Sequence, residues 1–239
     1  MALEMVPLGD NALLINFQQQ IDPIIHQQVV DLSNKVTKAK IPGVSYIQPA
    51  YCSLTVGYDN AIIKYSDLRK AIQKIDHQPS DNNDLNGRSL TIPVCYQQPY
   101  SLDLAEISKF SGLNQKEIIQ LHTGTTYRVY MVGFLPGFPY LGVLPKPLQF
   151  PRQTQPRVKV AKRSVGIAGL QTGIYPADSP GGWHILGSTP IPIFRVNSED
   201  PFLFRTGDQV KFQEISDQVY QKISMEVEQS LFDWDSLYE

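Results

Sequence analysis

Two histidines and two arginines stand where their chemistry could be used. His184 lies in Gly181-Gly182-Trp183-His184, a run suited to close contact with a ligand, and imidazole is the side chain that titrates near neutral pH. The alternative for His184 is a satisfied structural residue. His122 ends a helical stretch beside Thr123-Gly124-Thr125 and is a second candidate acid or base. Its alternative is a helix cap, with the ring meeting the last carbonyls. Arg152 and Arg157 share the proline-stiffened segment Pro151-Arg-Gln-Thr-Gln-Pro-Arg157, and their planar guanidinium forks suit a carboxylate or a phosphate. A solvated basic hairpin, or a face meeting an acidic partner, fits the same residues equally well. Gly181, Gly182 and Trp183 are expected next to the bound group. Phe134, Phe138 and Tyr140, embedded among glycines and prolines, are candidates to line a pocket, with core or interface as their alternative.

These candidates fall in or beside one biased region. Residues 118–177 contain no aspartate or glutamate and seven lysines or arginines, so the remainder of the chain carries −9 against a total of −2. Between Met131 and Pro192 lie 19 of the protein's 34 glycines and prolines. Such density predicts fixed, site-building loops rather than regular scaffold, and a positive, backbone-rich surface suits an anion.

Bulk properties narrow the classes. The chain has 239 residues, 42% hydrophobic and 18% charged, enough for one large domain or two small ones of ordinary globular type. A near-neutral charge argues against a nucleic-acid partner. Cys52 and Cys95 lack metal or redox spacing, and with four histidines no metal site is expected; a reduced, cytoplasmic protein is the reading. The first ten residues do not form a signal peptide, and no apolar run is long enough for a bilayer, so no membrane partner is expected. Neither a Walker-type phosphate loop, nor Gly-x-Gly-x-x-Gly, nor a Gly-x-Ser-x-Gly elbow occurs. Any ATP chemistry would therefore not use the usual loop.

The elements that must position these residues read as an α+β protein. In residues 1–80, Ala12–Phe17 predicts a strand, Asp22-Pro23 a capped helix start with Ile25, Val29, Leu32 and Val36 as its stripe, Val44–Gln48 and Tyr51–Tyr58 a strand pair with Pro49 in the turn, and Ser66 the cap of a second helix. This β-α-β-β-α order predicts a small ferredoxin-like sheet with helices on one face. The polar stretch Asp76–Arg88 reads as a linker. In residues 88–239, Leu90–Tyr96 is a predicted strand, followed by helices over Leu102–Phe110 and Asn114–Leu121, the second opened by the capping box Asn114 and Glu117. The pair resembles a helix-turn-helix, but its acidic flank favours a structural role. Short strands over Tyr127–Val132, Ser164–Leu170, Pro192–Val196 and Gln209–Glu214 predict a β-barrel or sandwich. Val219, Ile223, Val227 and Leu231 predict a closing helix over Asp217–Leu231.

One ordered series of blocks carries a resemblance: Gly133-Phe-Leu-Pro-Gly-Phe-Pro-Tyr-Leu-Gly142, Pro151-Arg152, Pro156-Arg157, Ser164-Val-Gly-Ile-Ala-Gly169, Gln171-Thr-Gly-Ile-Tyr-Pro176 and Ser179-Pro-Gly-Gly-Trp183. It resembles the 5-oxoprolinase B-subunit family, also described as allophanate hydrolase subunit 1 and as a sporulation histidine-kinase inhibitor. The resemblance implies a small α/β N-terminal domain and a cyclophilin-like β-barrel. It further implies ATP-dependent opening of 5-oxo-L-proline to L-glutamate. The implied partners are a biotin-dependent carboxyltransferase-like C subunit, together with a separate A subunit, the chain being inactive alone. Inhibition of a sensor histidine kinase, or an allophanate substrate, are the alternatives it leaves open. Two blocks depart from the pattern: Val160-Ala-Lys-Arg-Ser-Val-Gly166 for Val-Pro-Ala-Gly-Ser-Val-Gly, and Leu186-Gly-Ser-Thr-Pro190, where Ser188 replaces an arginine.

Overall fold

The computed structural model describes residues 3–77 and 87–239. The chain separates into two compact units, Met1–Gly87 and Arg88–Glu239. Of the polar stretch Asp76–Arg88 read as a linker, residues 78–86 lie outside the described residues.

The first unit contains β1 (Glu4–Leu8), β2 (Ala12–Asn16), α1 (Pro23–Ala39), β3 (Val44–Pro49), β4 (Ser53–Tyr58) and α2 (Tyr65–Asp76). Its antiparallel sheet has the order β1-β2-β4-β3. The expected β-α-β-β-α run is present, preceded by a strand that the sequence reading missed. The fourth strand thus comes before the repeat, whereas a βαββαβ ferredoxin-like unit places it after. Helix α1 begins as expected: Asp22 accepts hydrogen bonds from the Ile24 and Ile25 amides, with Pro23 in the first turn. The cap of α2 is a correction. Lys64 occupies the N-cap without a side-chain bond, and Ser66 lies inside the first turn. Pro49 likewise ends β3, paired with Leu54, rather than sitting in the turn. Val29, Leu32 and Val36 of α1 and Leu68, Ile72 and Ile75 of α2 close one core over Leu13, Ile15, Leu54 and Val56, so burial of two apolar stripes on one sheet face holds this unit together.

The second unit is built on β5 (Ser89–Val94), β6 (Thr126–Val132), β7 (Pro139–Gly142), β8 (Arg157–Val160), β9 (Ser164–Ala168), β10 (Gln171–Ile174), β11 (Ser179–Gly181), β12 (His184–Ser188) and β13 (Gln209–Glu214), with helices α3 (Leu104–Ser111), α4 (Gln115–Thr123) and α5 (Asp217–Glu228). Seven strands form one sheet in the order β12-β9-β10-β7-β6-β13-β5, and β8 pairs with β11. The sheet curls until its edges meet: Cys95, just past β5, and Ser188 of β12 exchange both backbone hydrogen bonds, at 2.8 and 3.0 Å. Gly187 permits this seam, because a Cβ there would lie 2.5 Å from the Cys95 carbonyl oxygen. The result is a half-barrel filled by Ile92, Tyr127, Val129, Leu141, Val165 and Phe212.

Helices α3 and α4 add Leu104, Ile107 and Ile118 to that core, and the Asn114–Glu117 capping box forms as expected. Three strand and helix expectations change. Pro192–Val196 is not a strand; Phe194 makes a single bridge to Phe202, as expected where Pro192 has no amide to extend a ladder. Helix α5 ends at Glu228, and of its stripe Ile223 and Val227 reach the core while Leu231 is exposed. The Gly/Pro-rich region, expected to be mainly loop, contributes β7 to β12.

Candidate functional site

Between α3 and the loop that enters β8 lies a cavity of about 400 Å³, within the size range of small-molecule sites. Glu106 and Phe110 face it from α3, Phe150, Arg152 and Gln153 from the loop, and His184 from the start of β12. Phe110 is exposed and its ring centroid is 6.4 Å from that of Phe150, so the cavity has an aromatic wall. Arg152 is exposed and has no carboxylate partner among the described residues. Its charge acts on the Tyr140 and Tyr175 hydroxyls, partly opposing the upward shift that burial imposes on both.

The cavity's shape depends on a buried carboxylate that the sequence reading did not select. Asp103 precedes α3 and is 2% exposed. Its Oδ1 accepts from Arg157 Nη2, its Oδ2 accepts from the Ile185 amide at 2.6 Å, and its own amide donates to the Ile185 carbonyl at 2.9 Å. The start of α3 is thereby tied to β12 and β8 together. Arg157 also donates to Gln153 Oε1 at 2.9 Å, and the Gln153 amide donates to the Gly182 carbonyl at 2.8 Å. Arg157, expected to bind a ligand anion, instead neutralises the protein's own Asp103, because a carboxylate this deeply buried must be paired.

His184 keeps its place at the cavity. Its Nε2 donates to the Pro151 carbonyl at 3.1 Å, while Nδ1 is buried and has no hydrogen-bond partner. His122 is elsewhere. It is fully buried between the α4 terminus and the barrel, with Nδ1 2.7 Å from the Tyr96 hydroxyl and Nε2 2.9 Å from Thr172 Oγ1. Phe212 stacks on the ring at 4.5 Å. Burial lowers its pKa from 6.5 to about 3, so it is neutral at physiological pH and has no open face for a substrate; neither a catalytic nor a simple cap geometry is what the structure gives it.

The remaining candidates do not line the cavity. Trp183 and Phe138 are buried, packed edge-to-face at 5.3 Å, and Phe138 meets Tyr175 at 5.2 Å; Tyr140 joins this cluster at its edge. Gly181 lies against Tyr175, whose hydroxyl would be 2.3 Å from a Cβ. Gly181 therefore allows close packing against Tyr175, whereas a Cβ at Gly182 would meet Gln153 and Pro156 only at ordinary contact distance, 3.6 Å. Phe134 projects from a loop tip, 71% exposed. Of the expected residues, then, the structure brings Arg152 and His184 to one cavity. Glu106, Phe110, Phe150 and Gln153 were not foreseen as lining residues, and only the aromatic character of Phe110 and Phe150 at helix and loop ends hinted at them. No group of three or more His, Cys, Asp or Glu side chains among the described residues is placed to hold a metal ion.

Residues 3–204 match the family described as carboxyltransferase domain, subdomain C and D. The chain is 37% identical over 223 residues to the 5-oxoprolinase B subunit of Bacillus subtilis, covering 89% of this chain and 93% of that protein. It is 33% identical to the 5-oxoprolinase B subunit of Escherichia coli O157:H7, covering 86% and 93%. The chain belongs to the 5-oxoprolinase B-subunit family. Among solved structures, TTHA0988 superposes with a TM-score of 0.78 at 33% identity over 86% of this chain, which spans 40% of that chain. A conserved uncharacterized protein from Pyrococcus horikoshii is similar over 91% of this chain and all of its own, at 35% identity and a TM-score of 0.55. The K. lactis urea amidolyase shares the fold, with a TM-score of 0.76 at 19% identity, and the chain spans 16% of it. The family match includes every residue of the cavity. No helix among the described residues is long and apolar enough to cross a membrane.

Proposed function

We propose that this chain is the B subunit of an ATP-dependent 5-oxoprolinase, opening 5-oxo-L-proline to L-glutamate together with an A subunit, plus a carboxyltransferase-like C subunit. The observation that carries the reading is the identity to the B. subtilis B subunit over 93% of that protein's length. The chemistry needs more than this chain, since an unstrained lactam is a poor electrophile. Attack of the lactam oxygen on the γ-phosphorus of ATP releases ADP and leaves an O-phosphorylated imidate. Addition of water then breaks the ring C–N bond, forming an amine and an acyl phosphate, and a second water releases phosphate and glutamate. Positive and hydrogen-bonding groups must stabilise the transferring phosphoryl group. In this division of labour the described cavity orients substrate, and ATP is supplied in the assembled complex.

The test is ADP release by the reconstituted three-subunit complex with and without 5-oxoproline. The expected result is 5-oxoproline-dependent ADP release that disappears when this chain is omitted. A stable complex whose ATP turnover ignores 5-oxoproline would overturn the assignment.

A further inference from the structure

We propose that the barrel end carrying Phe134 and Arg163 docks an acidic face of the carboxyltransferase-like C subunit, with Phe134 seated in an apolar pocket of that partner and Arg163 meeting its carboxylates. The inference rests on the B-subunit reading, which requires such a partner.

Two backbone conformations point to this surface. Among the described residues, four other than glycine have a positive φ: Lys40, Phe134, Arg163 and Ser230. Lys40 caps α1, and Ser230 comes directly after Gln229, the cap of α5; a left-handed residue is ordinary where a helix ends. Phe134 and Arg163 have no helix to end. Phe134, at φ 69°, is the centre of a three-residue turn in which the Leu135 amide donates to the Gly133 carbonyl at 3.0 Å, a rare and strained arrangement. Arg163, at φ 71°, is third in the turn from Ala161 to Ser164 that joins β8 to β9, closed by the Ser164 amide on the Ala161 carbonyl at 3.3 Å. Glycine is the usual residue at such a position. A large side chain held where the backbone favours glycine costs free energy, and strain of this kind concentrates at clamps for a ligand or partner. Internal contacts do little to offset it at Phe134, which is exposed and meets the Phe138 ring edge-on at 6.2 Å.

The two residues share one end of the half-barrel. The antiparallel pairings of β6, β7, β10 and β9 bring the β6–β7 turn and the β8–β9 turn to the same side. The Arg163 amide donates to the Tyr175 carbonyl at 2.6 Å, and the Tyr175 ring packs on Phe138, 5.2 Å away. Gly137, in the loop of Phe134, lies against Phe194, whose ring is 5.2 Å from that of the exposed Phe202. The apolar surface thus continues onto the next loop. Around it stand Lys159, Lys162, Arg163, Arg195 and Arg205 against Asp178, Glu199 and Asp200, a net charge of +2. Lys159 takes Asp178 at 2.7 Å and Arg205 takes Asp200 at 2.6 Å, while Arg163 has no carboxylate partner among the described residues. An exposed aromatic near an unpaired arginine is the composition of an interface anchor, and the positive sign selects an acidic partner. A small anion fits less well, because it would leave Phe134 in water.

The test measures binding of the purified C subunit to this full chain. Phe134→Gly and Arg163→Gly relieve the backbone, so the urea midpoint of each is expected at or above the wild-type value. Each is nonetheless expected to weaken binding about tenfold or more. Salt separates the two roles: higher ionic strength weakens the wild type and Phe134→Gly, and has much less effect on Arg163→Gly. Phe134→Asn and Arg163→Asn, whose new residue also suits the left-handed region, should lose binding as the glycine variants do, which excludes a loosened loop as the cause. Wild-type affinity in all four variants overturns the docking surface, while 5-oxoproline-dependent ADP release by the assembled complex keeps the B-subunit reading. Stability lost in step with binding assigns both residues to folding and overturns the docking role as well. If the variants lose the C subunit but wild-type ATP turnover ignores 5-oxoproline, the B-subunit reading fails and the docking surface stands. Should the wild-type chain itself not bind the C subunit, the docking proposal falls, and ADP release by the three subunits together decides the reading separately.

Discussion

His122 carries its proton on Nε2, and a line of hydrogen bonds explains why. Thr172 Oγ1 donates to the Gly166 carbonyl at 3.0 Å, so the same oxygen must accept from His122 Nε2–H. Nδ1 is then free to accept from the Tyr96 hydroxyl. Every member is satisfied only while the ring is neutral, since a second ring proton would face Tyr96 and displace its hydroxyl hydrogen. Because the folded-state pKa is about 3 against an ordinary 6.5, the unfolded chain takes up a proton between those values that the folded chain does not. Stability therefore falls as pH drops through this window, by at most about 1.4 kcal/mol per pH unit from this residue. Urea denaturation at pH 7 and pH 5 should show the loss, and His122→Gln should flatten the slope while lowering stability at pH 7. An unchanged slope in the variant would mean that other groups set the acid response. The Asp103–Arg157 pair has the same logic in charged form: both residues were visible in the sequence, but 54 positions apart, and only folding shows that the arginine is occupied.

At the scale of elements, glycine is the residue whose meaning changed most. The density of glycine and proline after Met131 suggested loops, yet Gly166, Gly173 and Gly187 lie within β9, β10 and β12. Tight strand packing in a curled sheet demands residues without a Cβ just as turns do, and composition does not separate the two causes. The seam offers a direct check. Gly187→Ala would force a methyl against the Cys95 carbonyl at 2.5 Å, so the edges must part or the backbone shift. We expect destabilisation of about 2 kcal/mol, in the range of core overpacking, with faster hydrogen exchange at the Cys95 and Ser188 amides. Retained protection at those two amides would show that the seam tolerates the methyl. By contrast, helix starts were legible: Asp22 with Pro23, and Asn114 with Glu117, act within a few residues of themselves. Ser66 was misjudged because Lys64 already begins the helix and Ser66 falls inside its first turn.

For the whole molecule, the informative residue is Arg88, which opens the second unit. It holds the buried Asp208 through Nε and Nη2 at 3.2 and 2.6 Å, donates to the Leu203 carbonyl at 2.8 Å, and stacks over Tyr238. Next to it the Glu239 amide donates to the Ser89 carbonyl at 3.1 Å. The beginning and end of this unit are thus clasped at one edge of the sheet. Arg88→Ala strands a carboxylate that is 2% exposed, a change expected to cost about 3 kcal/mol. Each unit has its own core, and both tryptophans, Trp183 and Trp234, belong to the second. Tryptophan emission in denaturant should therefore shift to a lower midpoint in the variant, and an unchanged midpoint would show that this clasp does not stabilise the second unit.

The amino-acid sequence alone determined the α+β class, most strands and helices of the first unit, the capped helix pair, the family and two residues of the cavity. These depend on local periodicity, on caps acting over three or four positions, or on ordered blocks of residues. Tertiary structure alone decided that His122 is sealed in the core, that Arg157 belongs to Asp103, that the glycines build strands, and that Glu106 and Phe110 face Arg152 and His184. Burial and pairing are set by residues distant in the chain. A side chain's availability for chemistry is therefore fixed only when the sheet curls and α3 is tied against β12.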